Sequence, residues 1–203
     1  AITWATKEWD ADIVSMSFGY PEELKVDGKS VISKSIYQAS ADKDSNVLFF
    51  AAAANFGGNQ REMFPARHDL VFSMRGTDDR GNFEDFNPPP DFAGPDVFGT
   101  LGKDVPRLGQ DGVVQSGTSI ATAIAAGIAA MILGHAKLLL AESPSEENEI
   151  IRKLWTKNGM WSMFMLMSEK MQEKLRYLYP IRFLQADNAG RGDYLRTAAR
   201  DAR

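Results

Sequence analysis

The sequence predicts an α/β fold: a parallel β-sheet covered by helices on both faces, three layers deep, followed by a helical C-terminal appendage. Three observations predict it. Short apolar runs alternate with helix-forming stretches over the first two thirds of the chain. The run from Ser119 to His135 is almost unbroken in small and helix-forming residues. After about residue 141 the chain changes to an acidic stretch followed by a Met-rich and aromatic one.

Taken in order, AITWATKEW (1–9) reads as a helix, IVSMSF (13–18) as a strand and residues 30–43 as a helix. VLFFAAAA (47–54) and LVFSMRG (70–76) read as strands, and 119–136 as a long helix. The strands are runs without polar alternation, as a sheet buried on both faces requires. TDDRGNFEDF (77–86) reads as a solvated turn. Its Asp78, Asp79, Glu84 and Asp85 lack the oxygen-ligand spacing of a calcium loop, so no metal site is expected. NPPPDFAGPDVFGT (87–100) reads as a Pro-rich surface connection. Residues 1–140 should form the main unit and 141–186 a helical extension packed on it, opened by the helix-start signal Ser-Pro-Ser-Glu-Glu. Residues 187–203 should be a frayed tail.

Composition narrows the partners. With 203 residues, 44% of them hydrophobic, the chain can bury a sizeable core, and its net charge of -4 argues against a polyanion-binding surface. Nucleic acid is therefore not an expected partner. No apolar run reads as approaching the roughly 18 residues that span a bilayer. The absence of cysteine excludes disulfides and thiol catalysis and leaves the compartment open. No cofactor is expected, since neither a G-x-G-x-x-G run nor a Walker lysine is present.

QSGTSIATAIAAG (115–127) carries the chemistry. Gly117 and Thr118 make a permissive approach to a helix that starts at Ser119, where unpaired N–H groups and the helix dipole favour an anionic oxygen beside the hydroxyl. Such a serine can be a nucleophile for acyl transfer or a plain helix cap. Asn55, at the end of an apolar strand, can donate an amide hydrogen bond into the same rim, or make a turn with Gly57 and Gly58.

SGTSIATAIAAG resembles the nucleophile segment of the subtilisin-like serine proteases (peptidase S8), usually G-T-S-M-A followed by Pro and a small-residue helix. ADIVSMSFGYP (11–21) is similar to that family's M-S-L-G-G substrate-binding segment, and VLFFAAAANFGGN (47–59) to its A-A-A-G-N segment. The three occur in the family's order over roughly residues 1–136. TDDRGN and DVFGTLG resemble its A-T-D-x-x-G segment and D-V-x-A-P-G turn, and the C-terminal part is similar to those of fungal subtilisin-like domains. The resemblance implies a serine endopeptidase in which Ser119 forms an acyl-enzyme and Asn55 lies in the oxyanion hole. It also implies a polypeptide substrate, bound in extended form between Ser17, Phe18, Gly19 and Ala52, Ala53, Ala54. Tyr20 and Ala54 stand where the family usually has Gly, Ala123 where it has Pro, and Ile124 where it often has His.

A serine hydroxyl needs a base, and the base an orienting partner. Only two histidines are present. His68 precedes a strand, and His135 lies about 24 Å along the helix from Ser119 at 1.5 Å per residue. In the family the order is Asp, His, Ser, so the Asp and His are expected upstream of Ala1, in other parts of a longer polypeptide. The chain alone is expected to hydrolyse negligibly. The alternative is a catalytically inactive module that binds peptides or a partner.

Overall fold

The computed structural model describes residues 1–44, 46–58, 60–142 and 145–202. Asn59 of the expected turn, Ser143 and Pro144 of the expected helix start, and Arg203 of the expected tail lie outside the described residues. Among the described residues, seven α-helices run α1 (Ile2–Glu8), α2 (Ile32–Asp42), α3 (Thr118–Glu142), α4 (Ser145–Arg152), α5 (Lys157–Leu166), α6 (Ile181–Gln185) and α7 (Asn188–Asp201). Six strands build the main sheet: β1 (Ile13–Met16), β4 (Leu48–Ala52), β5 (Val71–Thr77), β6 (Val97–Leu101), β9 (Ser168–Gln172) and β10 (Leu175–Leu178). Two small ribbons, β2 (Lys25–Val26) with β3 (Lys29–Ser30) and β7 (Val105–Pro106) with β8 (Val114–Gln115), lie outside it.

The sheet order is β1-β4-β5-β6-β10-β9, parallel throughout except for β9. Every residue of β4 is buried, which explains its continuous apolar run. Alternate side chains still part to opposite faces. Leu48, Phe50, Phe72, Met74 and Phe98 pack with α3, α5 and α7, whereas Met16, Phe49, Ala51 and Val71 pack with α2 and with Ile2 of α1. Register places Phe50 beside Phe72 and Met74 beside Phe98. Phe164 of α5 completes an aromatic cluster, 5.4 Å from both Phe72 and Phe98 between ring centroids.

The expected three-layer α/β architecture is present, with a helical C-terminal part, and four local expectations are corrected. DVFGTLG is the interior strand β6 rather than a turn. The segment after Met167 is not helix but the β9–β10 hairpin, turned at Lys174 (φ 66°), and β10 joins the main sheet beside β6. Residues 188–201 do not fray. Asp187 caps α7 by accepting from the Gly190 N–H at 2.8 Å, and Leu195, Ala198 and Ala199, at helical spacing among polar neighbours, are buried in the core. Finally, α3 is by length and composition apolar enough to cross a bilayer. Gly127, Gly134 and Lys137 break up its apolar run, and its own Ala125, Ala129, Ile132 and Ala136 are buried in the core.

Candidate active site

The C-terminal ends of β4 and β5 and the N-terminus of α3 meet at one rim. Three glycines let them approach. A Cβ on Gly102 would lie 2.7 Å from the Gly76 Cα and 3.1 Å from the Gly117 carbonyl oxygen, so no side chain fits where the segment after β6 passes under α3. The Gly117 N–H donates to the Gly102 carbonyl at 2.7 Å, and Gly117 itself has φ +147°, a conformation that only glycine adopts cheaply. These contacts fix where α3 begins and with it the position of Ser119. Sequence reasoning missed Gly76 and Gly102, because their partners are far away in the chain.

Asn55 is brought to the same place. Its Oδ1 accepts the Thr118 N–H at 2.8 Å, which fixes the amide plane and leaves both Nδ2 hydrogens to point elsewhere. That nitrogen lies beside Gly117, 3.1 Å from where a Cβ would be. The Ser119 N–H has no partner among the described residues, as expected in a first helical turn. Ala54, just before Asn55, has φ 151°, so its backbone carries strain that a glycine would not.

Ser17 is tied to the rim, its hydroxyl donating to the Ser119 carbonyl at 3.2 Å. Phe18 and Tyr20 are exposed and meet edge to face at 6.0 Å. Gly19 faces Met63, a residue that sequence reasoning did not single out. The alanines are less open than anticipated. Ala52, Ala53 and Ala54 are all buried, and both polar groups of Ala53 are engaged, its N–H with the Met74 carbonyl at 3.1 Å and its C=O with the Met63 N–H at 2.8 Å. Ala53 thus has no free backbone group left for pairing with a peptide.

The two histidines lie elsewhere. His68 is buried against Tyr37 and Phe64, its pKa lowered chiefly by burial, with Asp69 opposing. His135 packs on Phe183. Asp78 of the acidic turn accepts from the backbone N–H groups of Arg80 and Asn82, and the Asn82 side-chain amide holds its carboxyl below the usual range.

No curated protein sequence matches the chain. Among solved structures it resembles a mutant of the protease domain of PatA, with 21% identity over 95% of this chain and 62% of that one, at a TM-score of 0.61. It also resembles the prenylagaramide maturation protease PagA (20%, 96% and 65%, 0.60) and the patellamide maturation protease PatA (20%, 99% and 67%, 0.60). The chain thus spans about two thirds of the length of these relatives, and at such identity the likeness is one of fold. The subtilase family model (Peptidase S8) matches residues 1–160, most of the chain, and the chain therefore belongs to the subtilase family.

Proposed function

We propose that this chain is the nucleophile-bearing part of a serine endopeptidase. The observation that carries the reading is the pairing of the Asn55 side chain with the first turn of α3. It leaves the Asn55 Nδ2 and the Ser119 N–H as two donors at one rim, and a tetrahedral oxyanion needs two. In this reading the Ser119 oxygen attacks the peptide carbonyl. An acyl-enzyme forms as the amine leaves, and water releases the acid. The base that takes the Ser119 proton and its orienting carboxylate are supplied by residues outside this chain, because His68 is enclosed by Tyr37 and Phe64 and His135 lies against Phe183.

The test is casein hydrolysis by the protein with its upstream sequence. Activity that vanishes in Ser119→Ala supports the reading. Asn55→Ala should lower kcat by roughly 100- to 1,000-fold, the range known for removing an oxyanion-hole donor from a subtilisin. Hydrolysis unchanged in Ser119→Ala would sink it. The second reading, an inactive module that binds extended peptides, is favoured by the lack of any side-chain partner for the Ser119 hydroxyl among the described residues, and predicts peptide binding without turnover.

A further inference from the structure

Resting on that reading of the rim, we infer that Met63 fills the space between residues 17–19 and 52–54, so that the residue preceding the cleaved bond must be glycine, alanine or serine. A Cβ placed on Gly19 would lie 2.7 Å from the Met63 Cβ, closer than real Cβ atoms come, and 3.0 Å from its sulfur. The two chains are thus already in contact at the one position where residues 17–19 lack a side chain.

Methionine swings more readily than most side chains, but rotation does not clear this contact. The atom nearest Gly19 is the Met63 Cβ, which moves only with its backbone. That backbone is held on both sides: the Met63 N–H donates to Ala53, and the next residue, Phe64, exchanges two backbone hydrogen bonds with Tyr20, at 2.8 and 2.9 Å. The opposite wall cannot recede, because Ala52, Ala53 and Ala54 are buried and Ala53 is bonded through both of its polar groups. A benzyl or long alkyl group on the substrate would have to displace a fixed chain. A methyl or hydroxymethyl group would not.

The probes are two product-like peptides, N-acetyl-Ala-Ala-Pro-Ala and N-acetyl-Ala-Ala-Pro-Phe, titrated onto this chain and followed by NMR chemical shifts. The wild type should bind the alanine-ended peptide at least 10-fold more tightly. Met63→Gly, which removes the Cβ as well as the thioether, should erase or reverse that preference, and Met63→Leu, which keeps the volume, should retain it and report any loss of fold. Equal binding of the two peptides by the wild type, a preference unmoved in Met63→Gly, or no binding of either peptide would each overturn the inference. The casein assay separates the two ideas. Hydrolysis that depends on Ser119 with a preference that ignores Met63 removes this inference alone. A preference that follows Met63 with no hydrolysis removes the protease reading alone.

Discussion

On one face of the sheet, Phe50, Phe72, Met74 and Phe98 pack into an apolar cluster with side chains from the helices. On the other, α2 covers Met16, Phe49, Ala51 and Val71, but it stops short of Arg75, whose place farther along β5 is covered by the Pro-rich segment 87–90. A proline segment lacks N–H groups and presents carbonyls that need donors. Arg75, fully buried, donates to the Pro88 and Pro89 carbonyls, both at 3.2 Å, and lies 3.6 Å from a carboxylate oxygen of Glu62. Buried Asn87 pairs with the N–H and C=O of Gly76 at 2.8 and 2.7 Å, as a neighbouring strand would. Burial lowers the Arg75 pKa and raises that of Glu62, and the attraction between the two opposes both shifts. A helix-covered face can be sealed by shape alone, whereas a loop-covered one needs donors matched to each carbonyl.

Arg75 and Met74 are sequence neighbours on opposite faces and make the sharpest test. Arg75→Met strands Glu62 and two buried carbonyls and should cost about 3–5 kcal/mol in chemical denaturation. A loss under about 1 kcal/mol would break the comparison. Met74→Leu, nearly volume-conserving, should cost less than about 1.5 kcal/mol. At the rim between the faces, Ala54→Gly should raise stability by about 1 kcal/mol, because glycine relieves the positive φ and gives back part of the gain in chain entropy. The smallest effect concerns pH and belongs to the loop-covered face. Burial holds the His68 pKa below its usual 6.5, so the unfolded chain binds this proton more readily. The stability that neutral His68 permits is complete above pH 6.5 and is lost as pH falls through the folded value. Glu62 slopes the other way above its usual range, so the readout is the difference between wild type and His68→Gln. A smaller acid-side loss in the variant is expected, and identical slopes would remove His68 from the argument.

Much of this was legible in the chain itself. β4 and β5 are runs long and apolar enough to be read directly, and the stretch around Ser119 announces a helix start through its glycine and its alanines. Asn55 could be placed on the same rim because strand ends in a parallel sheet share one edge. What could not be read depends on distant partners. Nothing local to Arg75 says that it is buried under prolines, and nothing local to Met63 says that it meets Gly19. The β9–β10 hairpin was hidden by residue type, since Met, Glu, Lys and Gln favour helix and only its place beside β6 makes it sheet. The burial of α7 rests on four small or apolar residues, Gly192, Leu195, Ala198 and Ala199, scattered among charges.

The match to the family model ends at residue 160, but the sheet does not. β10 pairs Leu175 with Val97, 175 − 97 = 78 positions earlier. On a ribosome, the edge of β6 therefore stays unpaired until the last third of the chain has been made, and a piece cut at the family boundary would keep that edge open permanently. Such an edge is a template for other chains. The late-arriving hairpin thus acts as the closing seam of the sheet on that side, and a recombinant fragment ending near residue 160 should aggregate more readily than the 203-residue chain in a sedimentation assay.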